Sequence, residues 1–169
     1  LRPYVIRELN GIRIGIIGVV TEETPQTTHP RNVAGLGFRS VEETVKDLVK
    51  ELRPQVDVLI LLTHLGYAVD RALAERIDGI DLIVGGHSHT RVEKPAVINN
   101  TLVLQAWEHG KALGLLDLTI DNKKIAMANG RLIGIRPQPE QEQKDVAALV
   151  EKYRKRVDAV LDERVGEAL

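Results

Sequence analysis

The chain contains no cysteine. That excludes a disulfide framework, a thiolate zinc site and a cysteine nucleophile. Aromatic residues are nearly as scarce, with one Trp, three Tyr and one Phe. A surface that grips bases by stacking would have little to build with. Neither sign of charge dominates, since 23 Lys+Arg face 24 Asp+Glu and the formal net charge is -1. A broad nucleic-acid face needs a clear basic excess, so a polymer of that kind is not an expected partner. No apolar run approaches the roughly 18 residues that span a bilayer. No charged-then-apolar leader stands at the N-terminus. The chain begins at Leu1 without Met and runs at once into strand-like sequence, so the expectation is that its natural start lies upstream. What is present is ordinary for a globular domain: 43% hydrophobic and 28% charged residues over 169 positions. That length suits one domain or a piece of a larger one.

Periodicity divides the chain into two styles. Residues 4–9 alternate, Asn10-Gly11 is a hairpin signal, and Ile12 to Val20 reads as a strand covered on both faces. Residues 21–37 read as a long loop. A helix follows, with Ser40 as cap, Glu43 as its capping-box partner, an apolar stripe through Val41, Val45, Leu48, Val49 and Leu52, and Pro54 as its end. Val56 to Leu62 is a second buried strand, Thr63 to Gly66 a turn, Val69 to Ile77 a short helix, and Ile80 to Val84 a third buried strand. Strand, helix, strand with short connections predicts parallel pairing. Beyond it, segments 96–98, 101–105, 112–120 and 130–135 read as an antiparallel group, with turns at Asn99-Asn100 and Asp121-Asn122. Pro137 and Pro139 punctuate its end. Residues 140–165 then form one charged helix whose apolar positions Val146, Val150, Tyr153, Val157 and Val160 suit docking on one surface.

Five histidines are present, and their placement carries the chemistry. His64 follows the second buried strand. His87 and His89 follow the third, after Gly85-Gly86. Ligands of open α/β sheets bind outside the carboxyl ends of strands. An isolated histidine there is usually a polar loop residue, but adjacent parallel strands would bring these three together. An extended backbone would put His87 and His89 on one side. A turn would send them toward two adjacent ions. Three imidazoles with an open position suit catalytic zinc, and they equally suit part of a two-metal hydrolytic centre. The second option needs carboxylates. Asp57 and Asp81 sit at the opposite strand ends, and Asp70 is the other nearby acid, so the centre looks incomplete. His29 and His109 have no evident partners and read as loop residues. No dinucleotide fingerprint, phosphate loop or nucleophile elbow is present.

Three segments carry a resemblance: Thr63-His64-Leu65-Gly66, then Gly79 to Thr90 (GIDLIVGGHSHT), then Gln105 to Leu118 (QAWEHGKALGLLDL). In this order they resemble the 5'-nucleotidase family of calcineurin-like metallophosphoesterases. The resemblance implies an α/β fold, half of a four-layer αββα metallophosphoesterase sandwich followed by a long C-terminal linker helix. Residues 1–136 would be the C-terminal half of a catalytic domain, and 137–169 the linker toward a further domain. It implies a metal-dependent phosphomonoester hydrolase with two divalent metal ions, zinc or manganese. By the same match His64 and His87 would serve one ion and His89 the other. No residue here matches the family's catalytic His and Asp pair, its Asp-x-His, its Gly-Asp or its Asn-His, and no substrate-binding residue is assigned. The chain alone would then be inactive, and its uncovered sheet face would favour self-association. A nucleotide or other phosphomonoester is the implied substrate, and a periplasmic or extracellular location is implied by the family. The competing readings are a stand-alone, non-catalytic module that binds a metal or partner, and a self-sufficient three-histidine zinc enzyme.

Overall fold

The computed structural model describes residues 2–136, 138, 140, 142–162 and 166. The expected punctuation at Pro137 and Pro139, the strand-like start expected at Leu1, and positions 141 and 163–165 of the helix expected over 140–165 lie outside them. The chain divides into two compact units, Leu1–Ile135 and Arg136–Leu169.

The first unit is α/β. Strand β1 (Tyr4–Leu9) pairs antiparallel with β2 (Ile12–Val20). Asn10 and Gly11 take φ of 52° and 78°, the positive pair that a tight hairpin turn demands. A single helical turn α1 (Thr24–Thr27) and a 3-10 turn at Pro30–Asn32 interrupt the expected loop. Helix α2 (Val41–Leu52) starts where Ser40 Oγ accepts the Glu43 N–H at 3.4 Å. It buries Val41, Val45, Val49 and Leu52. Then come β3 (Val58–His64), α3 (Tyr67–Arg76) and β4 (Leu82–Gly85). A hairpin of β5 (Ala96–Ile98) and β6 (Thr101–Gln105) follows, and a long one of β7 (Ala112–Asp121) and β8 (Lys124–Gly134).

The main sheet has the order β1-β2-β3-β4-β6-β5. Strands β2, β3, β4 and β6 are mutually parallel. The expectation of a wholly antiparallel second part is therefore corrected. Strand β6 extends the parallel set, and within this later part β5 and the separate β7–β8 ribbon pair antiparallel. Several ends also shift. Strand β3 runs through Thr63 and His64, where a turn was expected, because Val19 and Val20 of β2 still pair with them. Helix α3 starts two residues early at Tyr67, β4 covers 82–85, and β8 begins at Lys124.

The core lies on one face of this sheet. Ile17, Leu59, Leu61, Ile83 and Val103 pack with the buried residues of α2 and with Leu73 and Ala74 of α3. The opposite face is apolar but only partly covered. Of β2, only Gly15 and Ile17 are buried, so the expectation of cover on both faces is corrected. Leu116, Leu118 and Ile120 of the ribbon line a cleft with Ile12, Ile14, Val58 and Ile60. Toward the carboxyl ends of the strands, Val20, Leu62 and Val84 stay 48%, 56% and 37% exposed.

At the opposite, amino end of the sheet, Asp81 accepts the Arg53 guanidinium at 2.5 Å and the Leu59 N–H at 2.6 Å. Asp57 accepts the Arg13 N–H at 2.8 Å. Both carboxylates tie strand starts together, away from the histidines.

The second unit contains α4 (Lys144–Leu161). Val146, Val150, Tyr153, Val157 and Val160 are all exposed. Arg154 lies 3.0 Å from Glu151 and 3.9 Å from Asp158 on the same helix. Such exposed pairs contribute little, about 0.3–0.5 kcal/mol each. Among the described residues no helix is long and apolar enough to cross a membrane.

Candidate metal centre

The parallel register carries the histidines to one edge. His64 ends β3, and Gly85 ends the neighbouring β4 two residues before His87. The His64 and His87 rings meet edge to face with centroids 5.0 Å apart. A Cβ on Gly86 would stand 3.2 Å from His64 Nδ1. The glycine therefore leaves clear space beside a donor nitrogen.

Beyond Gly86 the backbone turns sharply. His87 and His89 have φ of 77° and 54°, a left-handed conformation uncommon outside glycine. Of the two outcomes open in the sequence, the turn is the one observed. His89 is carried away from the His64–His87 pair toward the segment after β6. The chain there returns antiparallel: Arg91 bridges to Ala106, and the Trp107 N–H donates to the Thr90 carbonyl at 3.2 Å. That register sets His89 beside Glu108 and His109. His89 Nδ1 is 3.3 Å from Glu108 Oε2, and His109 Nε2 is 3.7 Å from the same oxygen. The His89 and His109 rings are 5.1 Å apart.

His109, expected to be an unpartnered loop residue, is thus corrected to a neighbour of His89. Glu108 was not among the acids the sequence suggested. The missed signal was the short return strand at Arg91, which pairs position 89 with position 108. Glu108 also accepts the Lys111 ammonium at 2.5 Å. That hydrogen bond, followed by the charges of Lys111, His109 and His89, holds its carboxyl below the usual range. His29 remains local, its Nδ1 accepting the Arg31 N–H at 3.2 Å.

A polar network centred on a buried glutamine holds the histidine loop from beneath. Gln105, the last residue of β6, is 2% exposed. Its Oε1 accepts the Thr90 N–H, and accepts the Ser88 hydroxyl at 3.0 Å. Its Nε2 donates to the Gly86 carbonyl at 2.8 Å. Ser88 Oγ in turn accepts the Tyr67 N–H at 2.9 Å and caps the start of α3. The loop is thereby locked to two elements. Asp70, one turn into α3, points inward instead of toward the histidines. It is fully buried, and its Oδ1 accepts the Thr63 hydroxyl at 2.7 Å. Its Oδ2 has no hydrogen-bond partner among the described residues. Burial pushes its pKa up to about 6, against a smaller lowering from Thr63. A Cβ on Gly85 would collide with that oxygen, so glycine is required at the strand end.

No family model matches the chain. It is 32% identical to the trifunctional nucleotide phosphoesterase protein YfkN of Bacillus subtilis, over 98% of this chain and 12% of that protein. It is 31% identical to a 5'-nucleotidase of Vibrio cholerae, over 79% of this chain and 30% of that protein. It superposes on the crystal structure of the 5'-nucleotidase precursor from Thermus thermophilus with a TM-score of 0.74 at 32% identity, covering 98% of this chain and 36% of that one. The chain is a homologue of 5'-nucleotidases and metallophosphoesterases. It matches only a minor part of each relative's length. The α/β fold expected from the sequence is that of the matched part of the nucleotidase structure, and the family expected from the three quoted segments is that of these relatives.

Proposed function

We propose that the chain supplies the histidine half of a two-metal phosphomonoesterase centre of 5'-nucleotidase type. Residues 1–136 are, on this reading, the C-terminal half of the catalytic domain of a longer protein, and 137–169 its linker. The observation that carries it is the convergence of His64 and His87, at 5.0 Å, at the carboxyl edge of two adjacent parallel strands. His64 and His87 would hold one divalent ion and His89 the other. The donor set fits zinc, for which neutral imidazole is a suitable ligand, and Gly86 leaves room beside His64 Nδ1.

Divalent ions bound there supply positive charge for the phosphoryl oxygens and make water a better nucleophile. The chain's own contribution is positional. The Gln105–Ser88 network fixes the loop, so the imidazoles need no reorganisation when charge develops. None of the three histidines has to move a proton. The substrate class is a nucleotide or another phosphomonoester. The half-site by itself carries no turnover. Export from the cytoplasm fits the Thermus relative, which is described as a precursor. The partly covered sheet face, with Val20, Leu62 and Val84 exposed, is the surface that the rest of the domain, or a second copy, would cover.

The test is hydrolysis of a nucleoside monophosphate by the product of the whole open reading frame, with a divalent ion present. Activity should vanish on chelation and return with Zn2+ or Mn2+. His87→Ala should lower it by about 100-fold or more, beyond the loss typical of outer-shell partners. Full activity in His87→Ala would reject the assignment. If the chain is a non-catalytic module, no hydrolysis appears in any form.

A further inference from the structure

We infer that His89, Glu108 and His109 form a divalent transition-metal site belonging to this chain alone. It shares His89 with the centre proposed above but does not depend on that centre. The three donor atoms all lie within 4.8 Å of one another. Their spacings are informative. A tetrahedral ion with bonds of about 2.0–2.1 Å has donor–donor edges of about 3.3–3.4 Å. His89 Nδ1 and Glu108 Oε2 are 3.3 Å apart, and His109 Nε2 is 3.7 Å from that oxygen. A charge-assisted N–H···O bond would draw such atoms to about 2.7–2.9 Å. The separations are thus nearer those of ligands than those of a tightened hydrogen bond.

The loop is held in this arrangement. His89, Trp107 and His109 all have positive φ, at 54°, 72° and 48°. Conformations of this kind persist only where the surroundings impose them, and they cluster at functional sites. Here the Arg91–Ala106 bridge and the Trp107 ring impose them. Arg91 and Lys111 approach that ring to 4.9 Å and 5.0 Å. The side chains of His89 and His109 are 51% and 68% exposed, so the remaining coordination position opens to water. Two imidazoles and one carboxylate suit Zn2+, Mn2+ or Co2+ and not Ca2+, which takes six or more oxygens.

Co2+ is the probe, because its visible absorption reports coordination directly. It is titrated into the 169-residue chain and into the Glu108→Gln, His109→Ala and His64→Ala variants. The expected result is a visible band saturating at one equivalent in the parent and in His64→Ala. In Glu108→Gln and His109→Ala binding should weaken by at least the about tenfold that follows loss of an outer-shell partner. His64 ends β3, His109 is exposed and Glu108 is half-buried; none of the three belongs to the core, and far-UV circular dichroism checks that each variant is folded. Absence of binding overturns the inference and leaves the reading of His64 and His87 in a larger centre intact. Binding that survives His109→Ala and Glu108→Gln but falls in His64→Ala also overturns it, and places the ion at the His64–His87 pair instead.

Discussion

Replacing Gln105 by leucine is expected to destabilise the protein by about 2–4 kcal/mol and to weaken metal binding at the histidine loop by about 10–100-fold. The glutamine is buried and makes three hydrogen bonds to the loop that carries His87 and His89. The losses are unequal. The Gly86 carbonyl also accepts from the Gly66 and Ser88 N–H groups at 3.1 Å and 3.0 Å, so it stays satisfied. Ser88 Oγ lies 2.8 Å from the Thr90 hydroxyl and can turn to it. The Thr90 N–H keeps no such second partner in this network. Thr90 is only partly buried, so its orphaned donor costs toward the low end of about 1–3 kcal/mol, and the lost bonds add to it. Urea denaturation measures the first effect, and metal titration of the folded variant measures the second. Gln105→Glu is the discriminating companion. It keeps an acceptor for Thr90 and Ser88 but turns a second oxygen on the Gly86 carbonyl, so it should recover only part of the loss. If Gln105→Leu leaves both quantities unchanged, the loop is not held from beneath.

The second large effect is a pH dependence of stability set by Asp70. Its folded pKa is raised from 3.8 to about 6, mainly by burial. The folded state therefore holds this proton more tightly than the unfolded chain does. Stability from this group is fully present below the unfolded pKa and is lost as pH rises through the folded one. The window runs from about pH 4 to about pH 6. About two pH units correspond to about 3 kcal/mol. Asp70→Asn should remove that slope while keeping an oxygen for the Thr63 hydroxyl. At pH 7 the variant should be no less stable than the parent. Thermal or urea unfolding at a series of pH values reads the effect directly. An identical slope in both proteins would mean that other groups set the dependence. The unpartnered Oδ2 is the physical origin of this cost, since a buried carboxylate oxygen without a donor is poorly solvated.

Much of the fold was legible because it rests on local rules. The Asn10-Gly11 turn, the Ser40 cap and the apolar runs of β3 and β4 each predicted an element in place. The runs could not tell one covered face from two. Ile12, Ile14 and Ile16 are apolar whether or not anything covers them, and here they are only partly buried. The place of β6 was hidden for a related reason. A five-residue strand after a tight turn reads as one arm of a hairpin, and only the sheet order shows that it also extends the parallel set. At the site, the conjunction of His64 with His87 followed from strand order. The separation of His89 did not. It depends on left-handed backbone at His87 and His89, which neither Gly85 nor Gly86 announces. The meeting of His89 with Glu108 and His109 needed the Arg91–Ala106 bridge, a pairing too short to leave a period in the sequence.

On the function proposed above, His64, His87 and His89 serve two neighbouring ions in a phosphomonoesterase. The most direct measurement is the metal content, by mass spectrometry, of the product of the whole open reading frame and of its His87→Ala and His64→Ala variants. At least two divalent ions are expected in the parent, and one fewer in either variant. A parent that holds no divalent ion, or variants that keep the parent's full content, would contradict it.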